Sequence, residues 1–128
     1  MEDYKELMKQ AKRISKNAYA KYSKFCLGAA LLTKSGNIYT GVNVENGSFG
    51  LTNCAERTAF FSAISSGEKT FKAIAIYIDS EKMFTPCGAC RQVMAEFCSE
   101  DFKIIYFNKT DKTVQTTLGE LLPHSFKL

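Results

Sequence analysis

Apolar and polar positions follow two different periods in the first part of the chain. Apolar residues at helical spacing predict a helix over about residues 3–20 with a polar outer face. The stretches CLGAALLT (26–33) and NIYTGVNV (37–44) predict two strands, and the turn residues around Gly36 predict a hairpin between them. The chain therefore starts in the order α-β-β, followed by a loop rich in Gly, Ser and Asn at 45–52.

The rest of the chain carries shorter segments of both kinds. They are a helix over about residues 53–66 ended by Gly67, a strand over 71–78, a helix over 87–98, strands over 103–108 and 113–118, and a last helical turn with a tail. The strand at 71–78, FKAIAIYI, is apolar throughout and is expected to be central. This order predicts an α/β fold, with three layers (α/β/α) around one mixed five-stranded sheet. With 128 residues, we expect a single domain, 1–128.

Composition is that of an ordinary globular protein. Apolar residues make up 45% and charged residues 23%. No apolar run reaches the roughly 18 residues that a membrane span requires, and the start MEDYKELMKQ is too acidic and polar for a signal peptide. We therefore expect a cytoplasmic protein with no membrane partner.

Basic residues are concentrated near the start of a chain whose net charge is +4. Seven of them fall within the first 24 positions: Lys5, Lys9, Lys12, Arg13, Lys16, Lys21 and Lys24. This cluster fits either a nucleic-acid surface or the solvated face of an amphipathic helix. Lysine is common on helix surfaces, and Leu7, Ala11 and Ile14 keep helical spacing beneath the cluster. We therefore prefer the solvated face and expect no nucleic-acid partner.

The chain has five cysteines and one histidine, His124. The cysteines are Cys26, Cys54, Cys87, Cys90 and Cys98. An odd number without a signal peptide argues against a disulfide framework and favours metal ligands or catalytic thiols. A mechanism that needs a histidine base would have to use His124.

A cysteine and a glutamate, Cys54 and Glu56, stand at the start of the second predicted helix. Asn53 is a good N-cap, and Glu56 follows it by three residues, as in a capping box. Taken alone, Glu56 could therefore serve only to cap the helix. Cys54 alone could be a small buried apolar residue.

A second motif, TPCGAC at 85–90, changes that interpretation. Thr85 can cap the third helix, Pro86 suits its first turn, and Cys87 and Cys90 then lie one turn apart. Such a pair could form a redox disulfide or hold zinc. A catalytic zinc needs a third ligand, and Cys54 opens the other helix. Helix N-termini favour thiolates, and three protein ligands leave the fourth position of a tetrahedral zinc to water.

A structural zinc with four protein ligands is the competing interpretation. Cys98 is eleven residues beyond Cys87, about 16 Å along a helix, and cannot share the metal. Cys26 and His124 stay open as fourth ligands.

The two motifs together resemble a known family signature. CAE at 54–56 and PCGAC at 86–90, separated by 29 residues, resemble the motif of zinc-dependent nucleoside deaminases. FCLGAAL, TGVNVENGSFGLTNCAERTA, PCGACRQVMAEF and ELLPHSF further resemble the small homotetrameric cytidine deaminases. The resemblance covers nearly the whole chain.

The resemblance implies hydrolytic deamination of cytidine and deoxycytidine to uridine and deoxyuridine plus ammonia, in pyrimidine salvage. One Zn²⁺ per chain would be bound by Cys54, Cys87 and Cys90. A zinc-bound hydroxide would attack C4, and Glu56 would carry a proton from the water to N3 and then to the leaving amino group. No redox or nucleotide cofactor is expected. The family also implies a homotetramer with active sites shared between subunits.

Substrate contacts are implied for five residues. Asn43 and Glu45 share one side of a strand end, where they suit a ribose 3′-hydroxyl; the alternative is a turn held by local side-chain to backbone bonds. The resemblance places Phe25 against the pyrimidine and the Ala55 N–H near the base carbonyl. Phe126 is implied to reach the active site of a neighbouring subunit.

Two arginines follow the motif residues directly. Three thiolates on Zn²⁺ leave a net charge of −1, and the resemblance implies that Arg57 and Arg91 donate hydrogen bonds to the sulfurs and draw charge away. Surface salt bridges are the alternative. Phe49 stands where the family often has tyrosine, which removes a polar contact across subunits.

Two rival functions remain. A zinc-stabilised nucleic-acid or partner-binding module would have a filled fourth zinc position and no need for Glu56. A related deaminase could act on blasticidin S, a free base or a polynucleotide. Polynucleotide-editing deaminases usually carry His in place of Cys54, and the pair Asn43 and Glu45 favours a free nucleoside.

Overall fold

A computed structural model describes residues 4–128 of the chain. The helices are α1 (Lys5–Ile14), α2 (Ala55–Ser65), α3 (Gly88–Phe97) and α4 (Leu118–Leu121), and the strands are β1 (Leu27–Thr33), β2 (Ile38–Val42), β3 (Phe71–Ile78), β4 (Lys103–Asn108) and β5 (Thr113–Thr117). Short 3-10 turns cover Ser15–Asn17 and Phe49–Leu51. No helix within the described range is long and apolar enough to cross a bilayer.

The five strands form one sheet in the order β2-β1-β3-β4-β5. β3 and β4 are parallel, with Ile76 opposite Tyr106, and the other three pairs are antiparallel. The parallel pair needs a crossover, and α3 supplies it. β3 is the central strand, which explains its continuous apolar sequence. The predicted mixed five-stranded sheet is confirmed.

Helices cover both faces of the sheet, because alternate residues of each strand point to opposite faces. On one face, Leu7 and Ala11 of α1 pack with Ile105 of β4. On the other, Phe60 of α2 and Met94 of α3 belong to a second core, which α4 also joins. The predicted three-layer α/β/α arrangement is therefore confirmed.

The first helix is shorter than predicted. Its predicted start at residue 3 lies outside the described residues, and its last residue is Ile14 rather than residue 20. After the 3-10 turn, Tyr19 is extended: its N–H donates to Asn43 O, and its carbonyl accepts from Glu45 N, both at 2.9 Å. Pairing with the segment after β2 thus replaces the last helical turns. This bridge ties the chain before β1 to one side of the candidate site.

The sheet approaches α2 closely at Gly41 of β2. A Cβ atom there would lie 2.4 Å from Ala59 N and 2.6 Å from Ala55 O. Any other residue would therefore push the strand and the helix apart. β2 thus fixes the depth of the first turn of α2, which carries the candidate catalytic residues.

The start of α2 differs from the predicted capping box. The backbone of Asn53 exchanges two hydrogen bonds with Val44, and its side chain donates to Thr58 Oγ1 at 2.9 Å. Cys54 is the N-cap residue instead, and it makes no side-chain capping bond. The capping-box interpretation of Glu56 is therefore wrong, because Asn53 is held in an extended bridge.

Candidate metal centre and active-site cavity

Three thiols meet where α2 and α3 begin. Cys54 and Cys87 immediately precede the two helices, and Cys90 lies in the first turn of α3. Their sulfur atoms all lie within 4.8 Å of one another, with Cys54 Sγ 3.8 Å from Cys87 Sγ and Cys87 Sγ 3.4 Å from Cys90 Sγ. Tetrahedral zinc with Zn–S bonds of about 2.3 Å places its sulfurs about 3.8 Å apart, whereas a disulfide requires about 2.05 Å. The donor set therefore fits zinc and not a disulfide.

The candidate metal site, called the metal group below, consists of the thiols of Cys54, Cys87 and Cys90. Among the described residues, no other His, Cys, Asp or Glu belongs to this group. Cys26 and His124, the two possible fourth ligands, therefore lie outside it. A four-ligand structural site is thus not supported. Three ligands are the arrangement of a catalytic zinc, in which a water or substrate atom completes the tetrahedron.

The sulfur of Cys87 also caps α3. Cys87 is the N-cap residue, and its Sγ accepts a hydrogen bond from Cys90 N at 3.4 Å. The predicted cap, Thr85, lies outside the helix, and its Oγ1 accepts from Arg91 Nη2 at 2.9 Å. One sulfur therefore serves as both the cap of α3 and a candidate metal ligand.

Arg57 lies against the metal group. Its Nη2 donates to Cys54 Sγ at 3.3 Å. The hydrogen bond with the Cys90 thiol, and after it the bond from Arg57, lowers the pKa of Cys54 to about 5. The hydrogen bond between the Cys54 and Cys90 sulfurs, followed by burial, raises the pKa of Cys90 far above its usual range. In the zinc-free protein, Cys54 therefore loses its proton more readily than Cys90 does.

Glu56 lies beside the thiols in the first turn of α2 and is only 3% exposed. Its Oε1 is buried and has no hydrogen-bond partner among the described residues. Burial, followed by the negative charge of Cys54, raises the pKa of Glu56 to about 7. Because buried carboxylate oxygens are normally hydrogen-bonded, this atom marks a place that a ligand completes.

Two of the thiols, Cys54 and Cys87, line one cavity of about 310 Å³ together with Glu56, and this volume is within the range of small-molecule sites. The lining residues are Ser23, Phe25, Leu27, Asn43, Glu45, Thr52, Cys54, Ala55, Glu56, Phe84, Thr85 and Cys87. The structure thus brings together the candidate catalytic residue, two of the three candidate ligands and four of the five candidate substrate contacts. Cys90 lies behind them, and Phe126 lies outside.

Asn43 and Glu45 already hold the loop opposite the metal group. Asn43 Oδ1 accepts from Leu27 N at 2.9 Å, and its Nδ2 donates to Phe25 O at 2.8 Å. Glu45 Oε1 accepts from Tyr22 N and Ser23 N at 2.9 Å, and Oε2 accepts from Ser23 Oγ. These bonds join segments 16 to 23 residues apart, so they are not the local turn bonds considered from the sequence. They hold residues 22–27 in place. Hydrogen bonds from Ser23, through its side chain and then its backbone, hold the pKa of Glu45 below its usual range.

Comparison with known proteins decides the family. The family model described as "Cytidine and deoxycytidylate deaminase zinc-binding region" matches residues 1–106. The chain belongs to this deaminase family.

The relatives of this deaminase match it over nearly its whole length. The cytidine deaminases of Sporosarcina psychrophila and Halalkalibacterium halodurans are each 48% identical over 124 residues, which cover 97% of this chain and 91% and 94% of theirs. A 1.6 Å crystal structure of the cytidine deaminase from Burkholderia pseudomallei has a TM-score of 0.92 at 43% identity, covering 98% of this chain and 100% of that one. The protein is thus a zinc-dependent deaminase, and its three thiols fit one zinc ion per chain.

One wall residue of the deaminase, Phe84, was missed by sequence reasoning. Its ring meets Phe25 edge to face with centroids 5.0 Å apart, and Lys82 Nζ lies 5.7 Å from the Phe25 centroid. A large apolar residue in a polar loop, three positions before Cys87, was the available signal. Ser23 and Thr52 also line the cavity, and their polar loops offered no comparable signal.

Arg91 makes different contacts from those expected. Its hydrogen bonds run to Pro86 O, Leu121 O and Thr85 Oγ1, and none of them reaches a sulfur. The expected sulfur contact is therefore wrong for Arg91, whereas Arg57 does contact Cys54.

The C-terminal tail, residues 123–128, does not line the cavity of its own chain. Phe126 is 66% exposed, and His124 is an exposed residue in a left-handed conformation with φ 58°. Phe49, on the loop before α2, is 77% exposed. The Phe49 and Phe126 rings therefore lie outside the core of their own chain.

Proposed function

We propose that the deaminase hydrolyses cytidine and deoxycytidine to uridine and deoxyuridine, with release of ammonia, as a step of pyrimidine salvage. The observation that carries this proposal is that the unpartnered, buried Glu56 Oε1 belongs to a cavity wall formed in part by the three-thiol cluster. The cytidine deaminases among its relatives support the choice of base. We further propose that residues 1–128 act as one domain in the cytoplasm.

Cys54, Cys87 and Cys90 would hold the zinc ion, which when bound lowers the pKa of a water molecule and so provides a nucleophile at neutral pH. Glu56 Oε1 accepts a proton from the attacking water and delivers it to N3 of the pyrimidine. After addition at C4, Glu56 takes the proton of the new C4 hydroxyl group and passes it to the exocyclic amino group. The C4 carbonyl then forms as the C4–N bond breaks and ammonia leaves. Burial raises the pKa of Glu56 above its usual range, and a carboxyl group near neutrality can both accept and donate a proton.

The remaining cavity residues bind and orient the nucleoside. Phe25, braced by Phe84, offers an apolar surface to the base. The N–H of Ala55 is at the start of α2, where helix N–H groups lack intrahelical partners, and suits the base carbonyl. The amide of Asn43 has a second donor hydrogen, and the carboxylate of Glu45 has a further lone pair. Both can therefore bind the 3′-hydroxyl while they keep the loop in place.

The deciding experiment compares Glu56→Gln with the wild type. We expect about one zinc per chain in both proteins and a fall in cytidine turnover of about 10²–10⁴-fold in the variant, because the amide cannot carry a proton. Turnover is followed by loss of absorbance and zinc by metal analysis. Glu96→Gln, the same change on the exposed surface of α3, should be as active as the wild type.

Two outcomes would contradict the proposal. Near-normal turnover in Glu56→Gln would leave Glu56 without a catalytic role. Deoxycytidine, cytosine, blasticidin S and a single-stranded oligonucleotide should be tested beside cytidine. Faster use of any of the last three would move the substrate class away from nucleosides.

We also propose a homotetramer in which Phe126 of one subunit completes the cavity of another. Large apolar side chains at the surface support this assembly, because burying them against other subunits is favourable. Phe49, Leu51 and Phe126 are 77%, 70% and 66% exposed. Sedimentation equilibrium should give about four times the chain mass of 14.3 kDa. A monomer that is fully active at assay concentrations would exclude shared sites.

A further inference from the structure

Arg91 joins two parts of the deaminase that are far apart in the sequence. Its Nε donates to Pro86 O at 2.7 Å, its Nη2 to Thr85 Oγ1 at 2.9 Å, and its Nη1 to Leu121 O at 2.7 Å. Thr85 and Pro86 directly precede the candidate ligand Cys87, and Leu121 is the last residue of α4. One guanidinium group therefore connects the two residues before Cys87 to the C-terminal helix α4.

The contact depends on the shape of arginine. A guanidinium is a planar fork with five donors, which can serve three acceptors in different directions, whereas an ammonium group is a compact point charge. Leu121 O belongs to the last turn of α4, whose carbonyls lack intrahelical partners. Arg91 supplies the partner for this carbonyl.

Both connected parts also make other contacts, which include core packing by Leu118 of α4. On the metal side, the backbone N–H of Arg91 donates to Cys87 O at 3.0 Å. α4 has only four residues, so its position depends on contacts from outside the helix. Thr117 caps it, with Oγ1 accepting from Glu120 N at 3.3 Å, and Leu118 N donates to Phe102 O at 3.0 Å. Arg91 adds a direct hydrogen-bonded connection between the end of α4 and Pro86.

We propose that Arg91 is a positioning residue that couples the metal centre to α4 and the tail that follows. When α4 moves, Pro86 is displaced and Cys87 is positioned less firmly for the metal. When the segment 85–87 (the metal loop) moves, the end of α4 loses its hydrogen bond from Arg91. An effect of this coupling on substrate binding, through Phe126 in the tail, rests on the proposed function. The coupling itself concerns only metal retention and backbone order.

The first test compares three Arg→Lys variants as zinc-loaded proteins. The readouts are the rate of zinc release to a chelating dye and amide hydrogen exchange at Leu122, whose N–H donates to Leu118 O at 2.8 Å. Arg91→Lys should release zinc about tenfold faster and exchange faster at Leu122. Arg57→Lys should speed release only, because Arg57 contacts a sulfur and not α4. Arg13→Lys, on the exposed face of α1, should change neither readout.

The second test approaches the coupling from the other end. Thr117→Val removes the cap of α4 without touching the metal loop, and it should speed zinc release several-fold in the wild-type background. In Arg91→Lys it should add nothing further, because the connection is already broken. If the two effects multiply instead, the coupling does not run through Arg91.

Each outcome decides the proposal independently of catalysis. Wild-type zinc release in Arg91→Lys, or unchanged exchange at Leu122, would overturn it. If Arg91→Lys does not fold, Thr117→Val alone decides, and an unchanged release rate counts against the coupling. Neither readout uses a nucleoside. A zinc-loaded wild type that does not turn over cytidine would therefore sink the proposed function and leave the coupling intact.

Discussion

The two walls of the cavity are constructed in different ways. On the metal wall, the thiols and Glu56 come from the first turns of α2 and α3, and Glu56 Oε1 is buried without a partner. On the loop wall, both polar atoms of the Asn43 amide and both oxygens of Glu45 already bond residues 22–27. One wall is incomplete without a ligand, and the other is complete before the ligand arrives.

The metal wall therefore supplies the reacting groups, whereas the loop wall sets the shape of the cavity. A buried polar atom without a partner is costly unless a ligand supplies one, so Glu56 is arranged for reaction at the expense of stability. Asn43 and Glu45 instead stabilise the loop that carries Phe25. Changes on the metal wall should therefore remove turnover while leaving the backbone in place, and changes on the loop wall should alter affinity and local order together.

The largest expected effect comes from the thiols. Replacing Cys54, Cys87 or Cys90 with Ser should release zinc and reduce turnover to background, because two thiolates hold the metal far less tightly than three. Metal analysis and a cytidine assay measure the two effects. Cys26→Ser, outside the metal group, should keep about one zinc and normal turnover. Full activity in a metal-free preparation would contradict the metal assignment.

The next effect is a pH dependence of stability in the zinc-free protein. Burial raises the pKa of Glu56 from 4.5 to about 7. The folded state therefore binds the proton more tightly than the unfolded state, and stability present below about pH 4.5 is lost as the pH rises to about 7. The loss is about 3 kcal/mol in the free energy of unfolding.

Comparison of wild type and Glu56→Gln isolates this contribution, since the thiols are common to both proteins. Urea unfolding with a chelator present should show wild type losing stability relative to Glu56→Gln between about pH 4.5 and 7. A constant difference over this window would mean that the carboxyl group does not titrate as burial predicts.

Loss of a ribose contact should be smaller. Glu45→Ala should cost about 1–3 kcal/mol in kcat/KM for cytidine, and each 1.36 kcal/mol is tenfold. The 3′-deoxy nucleoside should be a poor substrate for wild type but little worse than cytidine for Glu45→Ala. An equal penalty in both enzymes would mean that Glu45 does not touch the hydroxyl.

Ser23→Ala serves as the matched control on the loop wall. Ser23 Oγ donates to Glu45 and accepts from Phe25 N at 3.0 Å, so this change loosens the loop while it leaves the carboxylate in place. It should raise the KM for cytidine and its 3′-deoxy analogue by the same factor. This separates the shape of the loop from the contact to the hydroxyl.

The smallest effect concerns Phe126, which belongs to neither wall of its own subunit. Phe126→Ala should leave zinc content unchanged and raise the KM for cytidine by several-fold, because only part of one ring surface is lost. Mixed oligomers made with inactive Glu56→Gln chains should regain part of the low-substrate activity, since some Phe126→Ala sites then receive an intact ring. No recovery in confirmed mixed oligomers would rule out a ring shared between subunits.

Sequence reasoning succeeded where a signal is local. The apolar run at 71–78 predicts the central strand, and the one-turn spacing of Cys87 and Cys90 predicts neighbouring thiols on a helix start. The position of Cys54 at the other helix start makes it the candidate third ligand, the resemblance to a deaminase agrees, and its sulfur lies with the other two.

Contacts set by tertiary structure were not predictable in this way. Asparagine is a common N-cap residue, but the backbone of Asn53 pairs with Val44, and Cys54 occupies the N-cap position of α2 instead. Arg91 lies beside a ligand in sequence, yet it bonds a carbonyl thirty residues away, at Leu121. In both cases the decisive partner is distant in the chain, and residue type gives no information about it.

The close approach at Gly41 has a consequence for protein engineering. The edge strand β2 acts as a spacer of fixed height, because its backbone lies directly against the first turn of α2. Transplanting the two motifs into another α/β scaffold would therefore fail if the supporting strand carried a side chain at this point. A host for this reaction centre needs a glycine beneath the helix, although that residue touches neither metal nor substrate.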